Sequence, residues 1–338
     1  MPGYEGSTAT ELGINSANVA TFIVFSKAFS ILVGGITFIV VARLLGPSNY
    51  GIYTIAMSMA QYLNKYIPEY KAKGEKEKIK RILGASFGLT LISIIIVILF
   101  SSVFIRQIVS YFFHNSVNNI VIYATLVYLF FSTLYGLGSN ILISFADGKN
   151  SAISQVINIS FQALFSISLV LLGYGALGAI IGCLLGLLSG FVYQLIMLMK
   201  HSTIKLDGFF EEAKKMLSFS IPLTISSIFG SIVNNFSVLY LSFFFLPSVV
   251  GLYGIASKIG TYIDLVTGSI SAILIPMFSA ALASREISKK LGNLYNYSIY
   301  FGLLFAMPIV VYVSIFSHAM VISVFTSAYK GSSIYMAL

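Results

Sequence analysis

Tryptophan is absent from this chain of 338 residues, cysteine occurs once, and Asp, Glu, Lys and Arg together make up only 9% of it. The lone Cys183 excludes an intramolecular disulfide and says nothing of the redox compartment. Scarce charge excludes the surface of a soluble domain. The first eighteen residues hold Glu5 and Glu11 but no Lys or Arg, so they lack the basic region of a cleaved signal peptide, and the first span is expected to remain. No GxxxxGK[ST], HExxH or GxSxG occurs, which leaves no nucleotide, zinc-hydrolase or nucleophile-elbow signature. His114, His201 and His318 stand apart, with no second ligand at metal spacing. The chain therefore reads as no enzyme, with no cofactor and no metal.

What is present is apolar: 57% of residues are hydrophobic and the mean hydropathy is +0.92. Charge is missing from Ile82 to Ile105, Ser116 to Ala146, Asn150 to Met199, Met216 to Ser257 and Leu291 to Tyr329. A helix crosses the hydrocarbon core in about 20 apolar residues. Lipid offers the backbone no partners, and these runs lack the alternation of barrel strands, so the fold class is an all-α integral membrane protein.

Spans are expected at Val19–Ala42, Pro47–Ile67, Ile82–Ile105, Val117–Ser144, Ser151–Leu172, Tyr174–Met199, Leu217–Leu246, Pro247–Phe278 and Leu291–Phe316. Gly331–Leu338 opens a tenth, which makes about nine full helices and the start of another. Gly46-Pro47 and Gly173-Tyr174-Gly175 mark tight turns. Tyr and Phe are read as membrane-belt or core residues. Of the twenty Lys and Arg, seven lie in Lys65–Arg81, four in Lys200–Lys215, three in Arg285–Lys290, and one is Lys149. The positive-inside rule puts these loops, and with them the amino terminus, in the cytoplasm. His201 falls on that side, and His114 and His318 fall in loops on the other. The net charge of +9 thus reflects topology, and nucleic acid is not a partner. Lys71–Arg81 reads as a solvated loop touching anionic headgroups, with partner docking as the alternative.

The chain repeats itself. ARLLGPSNYGIYTIA (Ala42–Ala56) is echoed by FFFLPSVVGLYGIA (Phe243–Ala256), with Pro47, Ser48, Gly51, Tyr53, Ile55 and Ala56 matched at one offset. EKIKRIL (Glu77–Leu83) resembles EISKKLG (Glu286–Gly292), and Ile108–Ala124 aligns loosely with Val321–Ala337. Six helices separate the copies, so both enter the membrane from the same side as parallel repeats. Such repeats form two bundles around a central cavity. The domains are then an amino-terminal bundle at 1–199, a basic linker at 200–216 and a partial carboxy-terminal bundle at 217–338.

ARLLGP, YGIY and the basic EYKAKGE (Glu69–Glu75), followed by the parallel repeat, resemble the polysaccharide and lipid-linked oligosaccharide flippases of the MATE-related MOP exporter superfamily. The resemblance runs from about Asn18 onward. It implies a MATE-like fold that moves a lipid-linked (polyprenyl-pyrophosphate) glycan across the cytoplasmic membrane by alternating access, with membrane lipids, H+ or Na+ and glycan-assembly proteins as partners. Two departures follow. The second helix is about two turns shorter than its counterpart, and the second copy stops where the first has Ala124, so the second six-helix bundle is expected to be truncated.

Charge within a span costs about 2.5 to 3.5 kcal/mol, so it marks a site. Lys27, Lys258 and Asp264 are the three such charges. The two Lys would meet a pyrophosphate or acidic sugar and Asp264 would carry an exchangeable proton; the alternative is an internal ion pair or snorkelling. Asn234 and Asn235 replace Gly34 and Gly35 of the first copy and suit either sugar hydroxyls or interhelical bonding. Gly178, Gly182, Gly186 and Gly190 recur every four residues and form a packing ridge. Two rival functions stand beside flipping: a cation-coupled drug antiporter, for which an acidic cavity would be expected, and a non-transporting scaffold of a glycan-assembly complex.

Overall fold

A computed structural model describes residues 9–64, 76–145, 147–201, 235–262 and 287–337. Within those residues the chain forms helices α1 (Ala9–Asn64), α2 (Lys76–Val103), α3 (Ile105–Phe113), α4 (Asn119–Ser144), α5 (Gly148–Leu169), α6 (Gly175–His201), α9 (Ile287–Val324) and α10 (Ser332–Ala337). Between α6 and α9 lie α7 (Asn235–Phe244) and α8, at 247–262. Among the described residues, five stretches are long and apolar enough to cross a membrane: Thr21–Ser58, Gly84–Val103, Asn119–Ile143, Gly148–Lys200 and Ala306–Val324. The first and fourth, at 38 and 53 residues, each hold a hairpin, and both arms of the fourth are long enough to cross.

Backbone chemistry sets those hairpins. Gly46 takes φ 67° and ψ 169°, dividing α1 into arms at 9–46 and 47–64. A side chain would be strained at that φ, and Pro47 starts the second arm without an amide hydrogen to satisfy. Between α5 and α6, a π turn at Val170–Tyr174 and positive φ at Gly173 and Gly175 reverse the chain. A Cβ on Gly175 would lie 3.7 Å from the Asn49 side chain. Both hairpins therefore turn at the same end of the first bundle.

The chain divides into two compact units, Met1–Val250 and Gly251–Leu338. In the first, α5 packs most extensively on α6, and α1 and α4 close around that pair. An apolar core of Ile94, Leu129, Leu134 and Phe191 joins α2, α4 and α6. Hydroxyls that would be costly in lipid are satisfied within their own helices: Thr37, Thr54, Thr125 and Thr133 each donate to the carbonyl four residues back, at 2.7 to 2.9 Å. In the second unit, α9 buries Val313, Ser317 and Val321 at four-residue spacing, continued by Phe325 and Tyr329. Ser332 at the start of α10 donates to the Leu252 carbonyl at 2.8 Å, and Tyr335 meets Tyr253 edge-on.

Three expectations are corrected. The ninth helix runs on past Phe316 to Val324, so His318 is a helix residue and not a loop residue. No Gly or Pro interrupts 317–324, and burial of Ser317 and Val321 holds that turn in place. The basic residues Lys76, Lys78, Lys80 and Arg81 belong to α2 and not to the expected cytoplasmic loop. Beyond Phe104 (φ −96°, ψ 14°) the chain forms a separate short helix, α3, which buries Ile105, Val109 and Phe113. The expected loop around His114 does occur: His114 ends α3 at φ 48°, and its Nε2 donates to the Ser242 carbonyl at 3.2 Å.

Candidate functional site

The first unit contains a polar seam along α5. Ser151, Ser154, Gln155, Asn158, Gln162 and Ser166 fall within an arc of about 120° at 100° per residue and cover about 22 Å of helix. That is most of the ~30 Å thickness of a hydrocarbon core. Asp147 caps the helix, accepting from the Asn150 backbone at 3.2 Å and from its side-chain amide at 2.7 Å.

Every neighbouring span meets this face. From α1, Ser26 donates to Gln155 Oε1 at 3.1 Å. From α4, Ser139 pairs with Ser151 at 3.0 Å and Tyr135 with Ser154 at 3.4 Å. From α6, Gln194 donates to Ser154 Oγ at 3.1 Å and Tyr193 to Asn150 Oδ1 at 2.7 Å. Nearer the hairpin end, Cys183 Sγ lies 3.2 Å from Gln162 Nε2 and 3.5 Å from the Tyr53 hydroxyl. Three neighbouring helices, α1, α4 and α6, are thus tied to one polar face of α5. Each interhelical bond of this kind is worth about 0.6 kcal/mol in a bilayer.

The bonding is incomplete. Ser30 Oγ, Asn158 Oδ1 and Gln194 Oε1 are buried without a hydrogen-bond partner. Amide oxygens only accept, so Asn158 and Gln194 can be satisfied only by a group bringing hydrogen or positive charge. Ser30 lies one turn beyond Ser26 on α1, and Asn158 one turn beyond Gln155 on α5.

The glycines of α6 bring that helix close to α5. A Cβ on Gly182 would collide with the Ser166 backbone and hydroxyl. On Gly186 it would lie 2.6 Å from Gln162 Cβ and 2.7 Å from the Asn158 carbonyl. On Gly190 the Tyr135 ring is 2.8 Å away, and on Gly178 the Leu169 carbonyl is 3.0 Å away. Those at Gly182, Gly186 and Gly190 are closer than real Cβ contacts allow and that at Gly178 is at the limit, so helix separation here depends on having no side chain.

Lys27 is exposed on α1, next to buried Ser26. Lys258 is exposed on α8 with its Nζ 6.0 Å from the centre of the Tyr262 ring, a cation–π contact. Asn235, half-buried, opens α7. Asn234, Asp264, most of the 200–216 linker and the rest of the seventh and eighth expected spans lie outside the described residues. A reading led by charge does not find Gln155, Asn158, Gln162 or Gln194, which are neutral. The signal that would have found them is four amides inside charge-free spans, three of them on one face of one helix.

Among the described residues the chain is all-helical, with five stretches able to cross a membrane, two tight hairpins and a polar seam, all of them but one span in its first unit. The polysaccharide biosynthesis protein family matches residues 17–282, most of the chain, and the chain belongs to that family. Its fold is similar to that of an inward-facing multidrug resistance MATE family transporter of the MOP superfamily, with TM-score 0.66 and 18% identity over 90% of this chain and 75% of that one. It is equally similar to the lipid II flippase MurJ in an inward closed conformation, with TM-score 0.65 and 17% identity over 93% of this chain and 70% of that one. At such identity the likeness concerns the fold. No curated protein sequence matches the chain.

Proposed function

We propose that the protein is a flippase for a lipid-linked oligosaccharide, acting by alternating access in the cytoplasmic membrane with its amino terminus in the cytoplasm. Membership of the polysaccharide biosynthesis family, on a MATE-like fold, carries this reading. The similar MurJ fold belongs to a protein named for flipping lipid II, another lipid-linked glycan. The first bundle supports the mechanism: a lobe cross-bonded along α5 moves as one body, and alternating access is largely rigid-body rocking of one repeat against the other. Cargo drives such a switch only by binding one facing better than the other.

The cations suit an anionic cargo. Lys27, in the first apolar stretch, and Lys258, on α8, are both exposed, as contacts to a pyrophosphate or acidic sugar require. Asn234 and Asn235 are proposed to reach sugar hydroxyls, and Asp264 to exchange a proton or bind Na+. Glycan-assembly proteins are its proposed partners. The test is reconstitution of the purified chain in vesicles with a fluorescent lipid-linked oligosaccharide and a membrane-impermeant quencher. Flipping makes label from the inner leaflet quenchable at a rate proportional to protein. A well-folded protein that leaves this pool protected refutes transport and favours the scaffold; flux of organic cations in its place favours the antiporter.

A further inference from the structure

The segment that the spans leave over is α3. Ile82 follows the basic run that ends at Arg81, and Arg106 comes twenty-four residues after it, with α2 and α3 helical between apart from the single step at Phe104. At 1.5 Å per residue the separation is about 36 Å, more than the ~30 Å hydrocarbon core and less than the 40–45 Å that includes both headgroup layers. With Arg81 at one surface, Arg106 therefore stands among the headgroups of the opposite one. The helix has two faces to match: Ile105, Val109 and Phe113 are buried, while Arg106, Gln107, Ser110 and Tyr111 are exposed. Tyr111 is held flat against Phe243 of α7, centroids 5.6 Å apart and planes at 13°. The His114 bond to the Ser242 carbonyl pins the end of α3 to the same helix.

We propose that the exposed face of α3 is a binding site for the phosphate of an anionic phospholipid, gripped by Arg106 and bordered by Ser110 and Tyr111. A guanidinium at headgroup depth finds phosphate as its complementary anion and can bind it bidentately. The Tyr111–Phe243 pair sits where an amphipathic ring is most stable, with its hydroxyl toward water. Burial of Ile105, Val109 and Phe113 within the protein leaves α3 no apolar face to sink deeper. This site secures the hairpin-end surface of the first bundle to the bilayer and does not depend on what the protein transports.

The absence of tryptophan provides the probe. A Tyr111→Trp variant carries a single indole, and the full chain is reconstituted in phosphatidylcholine vesicles containing a minor fraction of phosphatidylglycerol. Bromines near the headgroup are expected to quench it more than bromines at the chain ends. A cation at a bilayer surface is worth about 1 kcal/mol, or roughly a fivefold local enrichment. Brominated phosphatidylglycerol should therefore quench severalfold more than brominated phosphatidylcholine at equal fraction. Adding Arg106→Gln, a surface change whose circular dichroism should match that of the parent, should abolish the difference. Strongest quenching from the bilayer centre, equal quenching by both lipids, or an unchanged preference in Arg106→Gln each overturns the proposal.

Discussion

Replacing Gly182 with Ala should loosen the first bundle, and its own cysteine can report the change. The new methyl would occupy the position of the Ser166 backbone and hydroxyl on α5. Backbone cannot rotate away, so α5 and α6 must separate. Overpacking of this kind costs about 1 to 3 kcal/mol, and a clash with main-chain atoms belongs at the upper end. Ala gains at most about 1 kcal/mol over Gly in helix propensity. The net expectation is a loss of about 2 kcal/mol, or about 4 to 8 °C in melting temperature for a unit of this size. Cys183 is the only cysteine and is 3% exposed. A fluorogenic maleimide therefore reacts only as α5 and α6 part. Gly136→Ala is the control: nothing lies within 4 Å of its Cβ, so it should melt at or slightly above the wild-type temperature. If Gly182→Ala melts with Gly136→Ala, the two helices are not in the contact described.

Asn158→Leu removes an amide oxygen that is buried without a partner together with the bond between that side chain and the Tyr135 hydroxyl, two effects of about 1 kcal/mol and opposite sign, so melting temperature should hold within a few degrees; a larger fall would show that the oxygen is bonded as well. Ser26→Ala breaks the bond to Gln155 and should cost about 0.6 kcal/mol in the same melting assay, against no change if that bond is absent. Lys258→Gln should slow flipping of the fluorescent oligosaccharide by about tenfold, the loss of ~1.4 kcal/mol of cargo interaction, with melting nearly unchanged; wild-type flux would remove Lys258 from the cargo site.

Within the described residues, the first six spans and their turns are legible in the sequence because lipid imposes them. Long charge-free runs must be helices, and the reversals at Gly46 and Gly173–Gly175 rest on residues whose φ is positive or whose amide is missing. Helix ends were less legible. Polar or basic residues at a membrane surface carry no stop signal, so α9 ran on through His318, and α2 began within its basic run. The polar seam escaped for a different reason. The cost of burying an Asn or Gln depends on its partners, and these come from α1, α4 and α6, up to 129 residues away in sequence. Charge is costly wherever it falls in a span; an amide shows its role only once the helices are packed.

The account rests on two copies of one helical unit entering the membrane from the same side. Lys80 and Lys289 occupy matching positions in EKIKRIL and EISKKLG. With Cys183→Ser as background, Lys80→Cys and Lys289→Cys can each be labelled in sealed, oriented vesicles with a membrane-impermeant maleimide. Both sites should react from the same face and be protected from the other. Labelling from opposite faces would mean that the copies are inverted, and the parallel carrier architecture would be contradicted.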